Sequence, residues 1–301
     1  MKHYRHFLLF ITASAVLASC DYIDPKEIHE GSKILITGSK WDIDTSFLNS
    51  TVAQPSMVLL EEYTGHYCGN CPDAARQAKK LDSIYTDRLH VMAIHAGFFA
   101  QPKNNADGSF SADFRCQAGI DLDNKFKVSE SVPKGLINRG RFGGSSTALL
   151  SSSSWEGRIN EIFNGPTPDF NFYLHPFYDD SLNQFYALTH IKMWKQVSIP
   201  IKVALYLTED SIKNWQLDYK ATPDKNPNYY HRHMLRDAFT PVEGSDSPGP
   251  VPFVPGKTTA GRWVCTKRNE INRKYCTVIA IVYRSDTDEI LQAVEAEIED
   301  R

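Results

Sequence analysis

Beyond its first twenty residues this 301-residue chain has no long apolar run. A membrane-crossing helix needs about 20 such residues, so no second span is expected. Dense basic stretches are also missing. The 33 Lys and Arg against 36 Asp and Glu give a formal net charge of −3, which argues against a nucleic-acid surface. There is no internal repeat and no glycine-rich loop of the nucleotide-binding kind. Cysteine is scarce, at six residues. Only one pair forms a Cys-x-x-Cys, so a four-cysteine zinc site has no second half. No cofactor is implied. What is present suits a soluble globular body: 42% hydrophobic and 12% aromatic residues allow sizeable cores.

The start of the chain indicates a compartment. Lys2 and Arg5 precede an apolar run from Phe7 to Leu17, too short to span a bilayer and of signal-peptide length. Leu17-Ala18-Ser19-Cys20 resembles the lipobox of bacterial lipoproteins. The expectation is that residues 1–19 are removed and that Cys20 carries the lipid, whose several acyl chains would make a stable anchor. The alternative is an ordinary secretory signal followed by a chance cysteine. Residues 20–55 read as a tether containing a short strand at Lys33-Ile34-Leu35-Ile36-Thr37. Export places the remaining cysteines where disulfides persist, and their odd number leaves at least one thiol over.

The most informative stretch is Tyr63-Thr64-Gly65-His66-Tyr67-Cys68-Gly69-Asn70-Cys71-Pro72. Met57-Val58-Leu59-Leu60 before it is strand-like. Ala74, Ala78, Leu81 and Tyr85 after it recur at helical spacing. A thiol at a helix N-terminus meets the positive end of the macrodipole, which stabilises its thiolate. This is the arrangement of thioredoxin-type redox chemistry, with Cys68 the more exposed, attacking thiol and Cys71 the resolving one. A fixed disulfide and half a metal site are the competing readings. Pro133 opens a later strand, where a cis-proline of a thioredoxin-like fold would face the cysteines.

From Met57 the pattern alternates: strand, helix to about Tyr85, strand Leu89 to His95, helical segments around Phe114 and Phe126, strand Val132 to Asn138, and a last helix from Trp155 to Phe163. This predicts an α/β thioredoxin-like domain over residues 56–165 with a parallel strand pair. Beyond it, runs starting at Phe170, Tyr186, Ile199, Tyr275 and Ile290 predict an antiparallel all-β sandwich, Ig-like or jelly-roll-like, over residues 166–301.

Leu60-Glu61-Glu62-Tyr63-Thr64-Gly65, Cys68-Gly69-Asn70-Cys71-Pro72, Ile94-His95-Ala96-Gly97, Val132-Pro133 and Ile137-Asn138-Arg139 occur together with His231-Arg232-His233-Met234-Leu235-Arg236 and Ile290-Leu291-Gln292-Ala293. In that order they resemble the outer-membrane-protein-28-related lipoproteins of anaerobic Gram-negative bacteria. The resemblance implies a thioredoxin-like domain, a β-sandwich and a lipid anchor at the outer membrane, without fixing an activity. The sequence departs from thioredoxin itself in having Tyr67 before the first cysteine and Gly69-Asn70 between the two.

Other candidates are weaker. Cys265 and Cys276 flank a charged turn, which suggests a cross-strand structural disulfide and leaves Cys116 as the odd thiol. His231 and His233 would share a face if both lay on one strand; a packed or solvent-facing strand is preferred to a metal pair. His66 either stabilises a thiolate or caps its loop. Phe170, Phe172, Tyr173, Phe177 and Tyr178 read as sandwich core rather than a sugar or peptide site. Two functions follow: thiol-disulfide exchange with a protein or peptide client, or surface binding and adhesion through the sandwich with the Cys68–Cys71 bond fixed.

Overall fold

A computed structural model describes residues 45–246, 249 and 251–300. The expected signal peptide, Cys20 and the Lys33–Thr37 strand lie outside these residues. The first half contains β1 (Val58–Thr64), α1 (Cys71–Tyr85), β2 (Leu89–His95), α2 (Gln117–Phe126), β3 (Lys134–Ile137) and α3 (Ser152–Phe163). β1 and β2 are parallel with α1 as the crossover; β3 runs antiparallel beside β1, and Gly135 bridges onward to Leu150. Every residue of β1 and β2 is buried, which is why both read as apolar runs rather than alternating ones. Residues near Phe114 are not helical, contrary to expectation. α2 begins only after Cys116, whose Sγ caps it by accepting a bond from Gly119 N–H at 3.4 Å.

Apart from a 3-10 turn at Arg273–Tyr275, the regular elements of the second half are strands: β4 (Phe170–Asp179), β5 (Gln184–Met193), β6 (Ile201–Glu209), β7 (Ile212–Leu217), β8 (Lys225–His231), β9 (Met234–Ala238), β10 (Thr258–Thr266), β11 (Cys276–Arg284), β12 (Ile290–Glu297) and β13 (Glu299–Asp300). They do not keep to themselves. A seven-stranded sheet of order β12-β11-β6-β9-β2-β1-β3 takes strands from both halves, and its two contributions meet where Ala93 of β2 pairs with Met234 of β9. A four-stranded sheet, β10-β5-β4-β13, lies apart, and β7 pairs with β8 as a hairpin.

Alternation along the strands assigns the layers. Leu59, Tyr63, Met92 and Ile94 share one core with Tyr206, Ile279, Ile281 and Leu122 of α2, on one face of the large sheet. On the opposite face, Val58, Leu60, Leu89 and Val91 pack against Ala74, Ala78 and Leu81 of α1 and Trp155 of α3. Farther along that sheet, Val203, Leu205, Val278 and Ala280 meet Phe170, Phe172, Phe185 and Trp263 of the four-stranded sheet. Of the aromatic cluster, Phe170, Phe172 and Tyr178 are buried in that core; Phe177 is buried on the other face of β4 with Tyr186, Leu188 and Val264, and Tyr173 is half-buried.

The Cys265–Cys276 bridge is not formed. Cys265 pairs within the four-stranded sheet and Cys276 within the seven-stranded one, so the two belong to facing layers rather than to neighbouring strands, and both are buried thiols.

One buried ion pair ties the halves together. Arg139, just past β3, donates to Glu61 of β1 from Nε at 2.8 Å and from Nη2 at 2.6 Å, and to Tyr206 Oη of β6 at 3.1 Å. Removing Arg139 would strand a buried carboxylate. Arg139→Ala is expected to lower urea-unfolding stability by about 3–5 kcal/mol. Lys195→Ala, which breaks the exposed 2.9 Å pair with Asp169, should cost about 1 kcal/mol or less.

Candidate functional site

The Cys-x-x-Cys sits between the end of β1 and the first turn of α1. Its loop is tight: Cys68 N–H donates to Gly65 O at 3.0 Å and Cys71 N–H to Cys68 O at 3.2 Å. Gly65 is required by close approach, because a Cβ there would come within 2.4 Å of the Phe99 carbonyl group. Cys68 and Cys71 are joined by a disulfide, with their Cα atoms 5.3 Å apart. The Val132–Pro133 peptide is cis. Since Lys134 pairs with Tyr63, Pro133 stands beside the end of β1, where the cysteine loop departs.

A cover lies over the pair. The β7–β8 hairpin crosses the loop, with Leu217 N–H donating to His66 O at 2.8 Å and Tyr219 N–H to Gly69 O at 3.0 Å. Gln216 Nε2 donates to Cys68 O at 3.2 Å. Arg76 of α1 reaches Asp218 at 2.8 Å, and the Tyr219 ring occupies the space a Cβ on Gly69 would need. Cys68 is consequently only 4% exposed. Cys68 is the more exposed of the pair, as expected, with Cys71 at 1%, but a hairpin from the other half of the chain closes over both.

Beside the disulfide lies a partly open cavity of about 290 Å³, lined by Cys71, Glu62, His95, Arg76, Tyr229 and His231 among others. Glu62, on the α1 face of β1, is buried, and its Oε1 has no hydrogen-bond partner. Burial pushes its carboxyl up to about 8, so at neutral pH it is mostly the neutral acid. His95 at the end of β2 is held well below the usual histidine range, first by burial and then by His231 and His66. Burial also lowers His231 to about 4, partly opposed by the bond its Nε2 donates to Trp215 O at 3.3 Å. Phe114 packs between these rings, 5.3 Å from His95, 4.9 Å from His231 and 5.6 Å from His66 by ring centroids. His66 is less a cap than a brace, donating from Nε2 to Gln101 O at 3.1 Å.

His231 and His233 do not share a strand face. β8 stops at His231, and His233 takes a left-handed φ of +50° before β9, turning toward Asp210. Cys116 is buried beneath α2, and burial raises its thiol to about 11, which leaves it inert at neutral pH. The sequence reading missed Glu62 and the hairpin. Glu62 did leave a signal, since two successive glutamates inside an apolar strand cannot both face water when both faces are covered.

The burial of Glu62 has a pH consequence. Its folded value of about 8 exceeds the ordinary 4.5, so the folded state holds a proton that the unfolded chain releases between those values. Stability is therefore lost as pH rises through that window. Glu62→Gln removes this dependence. Urea titrations of both proteins should show the variant gaining on the parent by a few kcal/mol between pH 5 and pH 8, because each tenfold difference in proton affinity between the two states is worth about 1.4 kcal/mol. Burial of His231 and His95 acts the other way below about 6.5 and cancels in the comparison.

The family described as outer membrane protein Omp28 matches residues 121–301. That span starts beyond Glu62 and Cys71, so it carries most of α2, then β3, α3 and every strand of the second half, but not the disulfide. Among solved structures, HBP35 of Porphyromonas gingivalis is similar with a TM-score of 0.57 and 18% identity, over 81% of this chain and 76% of that one. At that identity the likeness concerns the fold alone. A protein of Agrobacterium tumefaciens aligns at TM-score 0.45 and 11% identity, over 81% of this chain and 95% of its own. A domain of the outer membrane lipoprotein Omp28 from Porphyromonas gingivalis aligns at TM-score 0.29 and 18% identity, over 46% of this chain and 94% of its own. No curated protein matches the sequence. With more than half of its length matched, the chain belongs to the outer membrane protein Omp28 family.

Proposed function

We propose that this protein is an outer-membrane lipoprotein, anchored through Cys20, that exchanges disulfides with a protein or peptide client through Cys68 and Cys71. The observation that carries the reading is a Cys-x-x-Cys disulfide at the start of a helix sharing one cavity with a buried, neutral carboxyl, Glu62. The connectivity supports a thioredoxin-like unit within residues 56–165. β1-α1-β2-α2-β3 is followed by the Leu150 bridge and α3, in the spatial order β2-β1-β3-Leu150, with cis-Pro133 beside the cysteine loop. The sandwich of β4, β5 and β10 against β6, β11 and β12 would then form the second domain, over 166–301.

The chemistry is two displacements at sulfur. A client thiolate attacks Cys68 Sγ, the Cys68–Cys71 bond breaks, and Cys71 leaves as a thiolate. Glu62, an acid in the same cavity, supplies the proton that makes it a thiol. A second client thiol displaces Cys68, so the client leaves oxidised and the protein reduced by two electrons. In reverse, the Glu62 carboxylate takes the Cys71 proton, and Cys71 resolves the mixed disulfide on Cys68. Pro133 would position the client chain beside the pair.

Equilibration in thiol buffers tests this, with Cys68→Ser as control. A potential between roughly −120 and −270 mV, with disulfide-exchange activity lost in the variant, is the expected result. A pair below about −300 mV with no turnover would make the disulfide structural. That outcome would favour surface binding by the sandwich, the reading that the 4% exposure of Cys68 supports.

A further inference from the structure

We propose that the β7–β8 hairpin is a hinged lid, and that Cys68 reacts only in a form in which residues 216–219 have left the 66–69 loop. The lid takes its purpose from the proposed exchange, but its geometry stands independently. The lid is a two-stranded unit that pairs with no other strand among the described residues. Most of β8 faces solvent, and in β7 only Gln216 and Leu217 are buried. Its seat on the cysteine loop is made of polar contacts: Leu217 N–H to His66 O, Tyr219 N–H to Gly69 O, Gln216 to Cys68 O, and Asp218 to a half-exposed Arg76. At its base Trp215 rests on Phe110, and His231 on Phe114 and His95, so opening also parts three ring contacts. Most of the rest of the hairpin faces solvent, and a segment held by so few contacts opens below the cost of global unfolding.

The stems are built as a hinge. The hairpin leaves the large sheet through Ser211, φ +61°, and returns through His233, φ +50°, two non-glycine residues in the left-handed region. The two stems are pinned together where His233 N–H donates to Asp210 Oδ1 at 2.6 Å. Rotation at these two points would lift Gln216 to Tyr219 while leaving β6 and β9 paired.

The step being gated balances without any further component. A dithiol reductant offers a thiolate to Cys68 Sγ, the disulfide breaks, and Cys71 departs and takes a proton. The second thiol of the reductant then displaces Cys68, giving the protein dithiol and a cyclic oxidised reductant.

Dithiothreitol is the probe, applied to the full chain in detergent, with reduction followed by alkylation and mass measurement. Tyr219→Ala removes an exposed ring that covers Gly69, and Asp218→Ala removes the Arg76 contact. Each is expected to speed reduction roughly tenfold, and to speed hydrogen exchange at Leu217 N–H by a similar factor, as loss of one seating contact predicts. Melting temperature should stay near that of the parent. Leu217 N–H should also exchange faster in the parent than the amides of Leu205 and Ile281. The lid is overturned if both variants are reduced at the parental rate, or if Leu217 exchanges as slowly as those core strands. A reduction potential outside the exchange window would sink the proposed activity and leave this rate test intact, so the two failures are distinguishable.

Discussion

The hydrogen bond from Ala93 N–H to His233 O, 2.8 Å long, joins β2 to β9 and makes one sheet of two halves of the chain. Much else follows from that junction. β9 is held on its other side by β6, so the hairpin between β6 and β9 has to leave the sheet at its line of fusion. The ends of β1 and β2 lie at the same place, and so does the loop carrying Cys68 and Cys71. A hairpin starting there lands on the disulfide. The Arg139 fork to Glu61 and Tyr206 fixes the same two halves from the opposite face of the sheet.

Fusion sets the chemistry as well as the shape. Residues at the ends of β1 and β2 share a partly open cavity with β8 from the other half of the chain. Burial makes Glu62 a neutral acid and keeps His95 and His231 neutral bases at ordinary pH. Their effects on stability have opposite slopes with pH: the histidines cost stability as pH falls below about 6.5, and Glu62 costs stability as pH rises toward about 8. Glu62 and Cys71 line that one cavity, which is the arrangement on which the proposed proton transfer rests.

Much of this was legible in the sequence where local physics decides. β1, α1 and β2 could be read because a fully buried strand is a continuous apolar run and α1 shows a clear stripe of Ala74, Ala78 and Leu81. The long strands around Phe170, Tyr186, Val203 and Val278 were equally plain. The hairpin was not. Ile212–Leu217 and Lys225–His231 are polar, short and half exposed, and their place is set by a strand pairing more than a hundred residues away in sequence. The same pairing hid the burial of Cys68, the separation of His231 from His233 and the role open to Glu62. The expectation of a Cys265–Cys276 bridge failed for a related reason, since spacing does not say which of two facing sheets a strand will join.

The most direct measurement of the central claim uses the Cys71→Ser variant, which leaves Cys68 without its resolving partner. Incubated at neutral pH with a model peptide disulfide, it should form a mixed disulfide at Cys68, identified by mass. A Cys68 thiol that is intact by mass yet forms no adduct would contradict the account and return the disulfide to a purely structural role.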